Sequence, residues 1–189
     1  MHSSRKMFGA LAGLAWVAGM AIASGQTGET FSGTATITTA GGASATAPFT
    51  VTVERTMSRE EAEALVGAFT QGGVAGLRKA LVGVPPTGSI KLGGGEPTST
   101  RLTFERPTDN GRLITIVSDT PLLFLGGGVP GGKAKEGYDF AVLDLLVGSN
   151  GDGSGMLAPA ARIAVKQGVF VIEDYASDAV RLTAVKAIK

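Results

Sequence analysis

The chain has 189 residues, 17 of them Lys or Arg and 16 Asp or Glu, and a formal charge of +1 at neutral pH. It has no cysteine and a single histidine, His2. Acidic and basic residues alternate, as in Glu54-Arg55 and Glu105-Arg106, so the chain lacks the basic stripe of a nucleic-acid binder, and without cysteine it forms neither disulfides nor thiolate metal sites.

At the N-terminus, Arg5 and Lys6 precede a small, apolar run from Phe8 to Ile22, and Ala21-Ile22-Ala23 follows as a small-x-small cleavage pattern. These are the three parts of a secretory signal in order. The apolar run is shorter than the roughly 20 residues of a spanning helix, so residues 1–23 are expected to leave by cleavage near Ala23, giving a secreted or periplasmic protein. Ser4-Arg5-Lys6-Met7-Phe8 also resembles a twin-arginine signal with lysine in the second basic place, though the general secretory route fits better. Cleavage removes His2 and Trp16, the only histidine and tryptophan, and takes the basic count from 17 to 15 against 16 acidic residues, a net charge of −1. No apolar stretch of spanning length follows, so no membrane span is expected after cleavage.

Residues 24–30 read as a flexible leader and 31–189 as one β-rich domain. Phe31 to Thr39 alternates Ala35 and Ile37 against Thr34, Thr36 and Thr38; Gly41-Gly42 turns, and Phe49 to Glu54 alternates again, which predicts an antiparallel hairpin. Ser58 with Glu61 three residues on forms a capping box. Ala62, Leu65, Val66 and Phe69 then recur at helical spacing up to Gly72-Gly73. Val74, Leu77 and Leu81 suggest a second short helix, stopped by Pro85-Pro86. Beyond it the strand pattern returns at Ser89–Leu92 and at Ser99–Arg106, where Leu102 and Phe104 face one side and Arg101, Thr103 and Glu105 the other. It continues at Arg112–Asp119, whose two faces are both apolar. A glycine-rich stretch to Gly137 leads into strand patterns at Tyr138–Val147, Met156–Val165, Val169–Tyr175 and Ala179–Val185. Together they predict a mainly β fold: an antiparallel β-sandwich or β-barrel of about nine strands with one helical insertion (about residues 58–82).

The missing histidine and cysteine exclude Ser-His-Asp and Cys-His catalysis, and with them zinc, haem and iron–sulfur sites of the usual kinds. Asn150-Gly151-Asp152-Gly153-Ser154-Gly155 has the look of a calcium loop, with Asn150 and Asp152 as candidate ligands. The EF-hand register then puts Gly148 and Pro159 where ligands are required, so a plain turn fits better. Gly126-Gly127-Gly128-Val129-Pro130-Gly131 satisfies a dinucleotide-loop pattern, but Pro130 and the surrounding glycines do not open a helix. No cofactor is expected.

Two carboxylates are the candidate catalytic residues. Asp144 shares parity with Phe140, Val142 and Leu146 and is expected to point inward with them, within reach of Arg101, Arg112, Arg162 or Arg181. Glu173 shares parity with Val169, Val171 and Tyr175. An inward carboxylate must be paired, hydrogen-bonded or shifted in pKa. A structural ion pair is the simpler role; a glycosidase-like pair is the chemical one.

Thr50-Val51-Thr52-Val53-Glu54-Arg55 before an acidic capped helix, Arg112 to Pro121, Tyr138-Asp139-Phe140, Glu173-Asp174-Tyr175-Ala176 and Val180-Arg181-Leu182-Thr183 together resemble an uncharacterised family of small secreted bacterial proteins. That resemblance implies export and a single domain, and it brings no activity or site residues. The expectation is a non-enzymatic exported domain that binds a small apolar ligand or an envelope protein. The alternatives are a carboxylate-dependent, glycosidase-like hydrolase and an envelope accessory or scaffold protein.

Overall fold

The computed structural model describes residues 28–38, 42–122, 136–176 and 179–188. Residues 1–23, expected to be a signal, and the Gly126–Gly131 run lie outside the described residues. The elements, in chain order, are β1 (Glu29–Thr38), β2 (Ser44–Val53), α1 (Arg59–Leu81), β3 (Gly88–Leu92), β4 (Thr98–Thr100), β5 (Leu102–Thr108), β6 (Gly111–Ser118), β7 (Phe140–Gly148), β8 (Asp152–Lys166), β9 (Val169–Tyr175) and β10 (Val180–Ile188).

The strands form one antiparallel sheet in the order β4-β3-β2-β1-β10-β8-β7-β6-β5. β8 is long enough to serve two purposes. Its first half pairs with β7 and β10, and its second half, from Ala161 to Lys166, pairs with β9. β4 and β5 are one passage of chain interrupted at Arg101, with β4 on β3 and β5 on β6. There the Arg101 amide donates to the Val117 carbonyl at 3.1 Å. The sheet thus returns almost onto itself and is nearly closed and barrel-like, which leaves few unpaired edge groups.

Alternation decides what fills the interior. On β1 the threonines at 34, 36 and 38 face out, while Phe31, Ala35 and Ile37 are buried; on β2 the buried set is Phe49, Val51 and Val53. These pack with Ile90, Ile114, Ile116, Leu143, Leu145, Val147, Leu157, Leu182 and Val185 in one cluster. Each such large side chain contributes about 1.5–3 kcal/mol on leaving water. A β-carbon on Gly33 would come within 2.7 Å of the Phe49 ring and 2.6 Å of the Thr183 carbonyl. Only glycine lets β10 and that ring approach β1 so closely.

α1 begins as its sequence dictates. Ser58 Oγ accepts from the Glu61 amide at 3.2 Å, and the Ser58 amide donates to Glu61 Oε2 at 2.8 Å. Arg55 donates to both Glu61 oxygens at 3.0 and 3.1 Å, tying the cap to the end of β2. Burial pushes the Glu61 carboxyl up, but the hydrogen bonds from Ser58 and Arg55 outweigh it and hold the group below its ordinary value. The helix breaks at Gly73, whose φ of 57° and ψ of −148° are not helical. Two short helices joined at Gly72-Gly73 are what the sequence predicts.

The helix lies on the outside of the sheet and creates a second core. Leu65, Leu77 and Leu81 pack with Leu102, Val117, Phe140, Val142, Ala158, Ala161, Ile163 and Phe170, and Phe69 meets Phe170 edge-to-face at 5.7 Å. Leu102 and Phe104 therefore face the helix, and the barrel side of β5 carries Thr103 and Glu105. Thr103 is fully buried; it donates to Thr87 Oγ1 at 2.8 Å, and Thr87 shares a 3.2 Å hydrogen bond with Thr100. This hydroxyl chain fills the seam between β4 and β5 without leaving a buried polar group unpaired.

Candidate functional site

Among the described residues, two groupings of polar side chains are candidate sites: one end of the barrel and the outer face of β7. At the barrel end, Arg112 shares parity with Ile114 and Ile116 and therefore turns toward the interior, its guanidinium 5.9 Å from the centre of the Phe31 ring. It donates to both oxygens of Glu29 at 2.8 and 2.7 Å and to Glu105 Oε2 at 3.2 Å. The bonds to Glu29, more than burial opposes, raise the Arg112 pKa further. The group sits in an open cleft of about 740 Å³ whose walls include Asn150, Asp152 and Lys186. That volume falls within the usual range for small-ligand pockets.

Asn150, in the β7–β8 connection, and Asp152, the first residue of β8, lie at the rim of this cleft. The Asp152 amide donates to Asn150 Oδ1, Asn150 Nδ2 donates to Asp152 Oδ2 (both 3.1 Å), and Gly151 N–H closes the turn on Gly148 O at 2.9 Å. The two side chains hold a hairpin turn together. Among the described residues no group of three or more His, Cys, Asp or Glu could hold a metal ion.

The second place is Asp144. Its parity with Phe140 and Val142 is as the sequence predicts, but that face is the outer one. The barrel interior takes Ala141, Leu143, Leu145 and Val147, and the helix covers Phe140 and Val142. Asp144 lies just past the helix-covered patch and is half-buried; Leu146, two residues on, is 50% exposed. Thr115, directly across on β6, donates to Asp144 Oδ1 at 2.5 Å. Burial drives the Asp144 carboxyl above its ordinary value, against the opposing pull of Thr115 and the more distant Arg106. No described cation lies within ion-pair distance of it.

The four arginines expected to reach Asp144 are engaged or placed elsewhere. Arg101 pairs with Asp119 at 3.8 Å and donates to the Val84 carbonyl at 2.6 Å. Arg112 holds the barrel end, Arg162 stacks 4.9 Å from the centre of the Tyr138 ring, and Arg181 is exposed on β10. Glu173 is the extra residue of a β9 bulge and is exposed. It is not among the groups acting on Asp144; the charge of Asp144 reaches Tyr175 instead, where burial first and that charge second raise the phenol pKa. Nearby, the Tyr138 hydroxyl donates to Asp174 Oδ2 at 2.5 Å.

Sequence reasoning passed over the Glu29–Arg112–Glu105 group. The available signal was parity: Glu29 with Phe31 and Arg112 with Ile114 place charges at the ends of inward rows.

In comparisons with known proteins, no family model matches this chain, and neither does any curated protein or solved structure.

Proposed function

We propose that the chain is an exported, non-enzymatic binding domain that takes a small hydrophilic ligand at the polar end of its barrel. The supporting observation is the cleft of about 740 Å³ in which Glu29, Arg112 and Glu105 converge from three strands. A polar ligand is favoured over an apolar one because the inward side chains pack on each other, whereas the cleft walls carry charges and amides. Hydrolysis by Glu29 and Glu105 is disfavoured because Arg112 already engages both carboxylates. Export is inferred from the basic, apolar and small-x-small segments in residues 5–23.

The test is a titration of the ¹⁵N-labelled protein with glucose, maltose, glycine and glutamate. Shifts should concentrate on Arg112, Asn150, Asp152 and Lys186, and Lys186→Ala should weaken them. If none of the four probes moves these amides, the reading is lost. Export has its own measurement: intact mass of the protein recovered outside the cytoplasm should begin at Ser24, and recovery of the full chain from the cytoplasm alone would refute it.

A further inference from the structure

We propose that Asp144, framed by Tyr175 and Leu146 on the outer face of the sheet, is a binding site for an organic cation, an alkylammonium or alkylguanidinium group. The site is separate from the barrel-end cleft and does not depend on it.

Three observations converge. First, Asp144 is half-buried and its hydrogen bond is to a neutral hydroxyl, Thr115 Oγ1, which is itself only 4% exposed. A carboxylate withdrawn from water without a cation is costly, and a structure that only needed packing there would carry an apolar residue. Second, among described residues only four large hydrophobic side chains are exposed; Leu146, at 50%, is the next residue on the same face of β7, and Tyr175, at 41% on β9, is close enough to feel the Asp144 charge. Apolar surface of that kind around one charge suits a ligand with carbon next to its charge, since hydrated metal ions gain nothing from it. Third, Tyr175 brings an aromatic ring, and the face of such a ring carries the negative potential that cations of this class favour. Arg106 is the described cation that acts on Asp144, and it stands off beyond 4 Å without an ion pair. The carboxylate oxygen Oδ2 therefore remains available to an incoming N–H donor.

The chemistry has two sources, a free amine or guanidine and a lysine or arginine side chain of a partner. Titration with n-butylammonium, n-butylguanidinium and the peptide acetyl-Gly-Arg-Gly-amide separates them, with 1-pentanol as neutral isostere. The cations should shift the Tyr175 ring and Asp144 carboxyl resonances, and pentanol should not. A peptide that binds more tightly than butylguanidinium identifies a protein source, and the reverse identifies a small molecule. Asp144→Asn preserves shape and should weaken cation binding about tenfold or more, the value of a charge-assisted hydrogen bond. Tyr175→Leu should reduce the preference for cation over pentanol.

Equal binding of pentanol, or unchanged binding by the Asp144→Asn protein, overturns the proposal. Loss of ligand binding at the barrel end leaves this result untouched.

Discussion

The barrel interior and the helix-covered outer face are both apolar cores, yet they are enclosed in different ways. The interior is walled by a nearly closed sheet, and β1, β2, β3, β6, β7, β8 and β10 contribute its residues, so its boundary is largely a hydrogen-bonded ladder. The outer core is covered by a single helix, broken at Gly73, and it stops where the helix stops. β7 belongs to both: Leu143 and Leu145 face the first, Phe140 and Val142 the second, and Asp144 marks the limit of the second. A core enclosed by one element has an edge, and the half-buried polar residue stands at that edge.

The largest effect expected from this difference is in the interior. Leu143→Ala should destabilise the protein by about 3–5 kcal/mol, because ladder-bonded walls cannot collapse into the cavity. Leu77→Ala removes an equally buried side chain from the outer core and should cost about 2–3 kcal/mol, because a kinked helix can settle inward. Equilibrium denaturation of both variants checks the comparison. Equal losses would show that the helix is held as rigidly as the strands. Leu146→Ala, on the same strand but exposed, should change stability by no more than about 0.5 kcal/mol.

A smaller effect belongs to the helix itself. Gly73 adopts a conformation open to glycine, and a β-carbon there would meet nothing within 4 Å. Gly73→Ala should therefore cost about 1–3 kcal/mol through backbone strain alone. An unchanged or higher melting temperature would mean that the two helical halves can join into a straight helix, and that the kink is not imposed by the outer core.

Much of this architecture was legible in the residues. Alternation in Phe31–Ile37 and Phe49–Val53 gave the first hairpin, and Ser58 with Glu61 gave the helix start, because both signals are local. Gly72-Gly73 likewise gave the break. What alternation could not supply was which face of a strand is inside when both faces are apolar. Leu102 and Phe104 have the pattern of interior residues, but the helix provides a second apolar partner outside, and Thr103 goes inward because Thr87 and Thr100 satisfy its hydroxyl. Asp144 was placed on the correct face of β7 and that face on the wrong side of the sheet for the same reason. The barrel-end group escaped notice because Glu29 is distant in sequence from Arg112, and only the closure of the sheet brings it onto the β5–β6 hairpin that carries Glu105 and Arg112.

The smallest and most discriminating effect is at Asp144, and its sign is opposite to the others. Burial raises the Asp144 pKa in the folded protein, so the folded state binds the proton more tightly than the unfolded chain does. Linkage then makes this residue neutral in its effect below the ordinary value of 3.8 and increasingly unfavourable to folding as pH rises through the raised value. Asp144→Asn removes the charge and keeps an oxygen to accept from Thr115. The variant should melt higher than the parent near neutral pH, and the advantage should vanish when both are measured below pH 3.8. A loss of stability at neutral pH would mean that the ionised carboxylate has a stabilising partner and that the edge of the outer core is an ion pair. A gain would mark Asp144 as a residue held against the interest of the fold, which a bound cation would reverse.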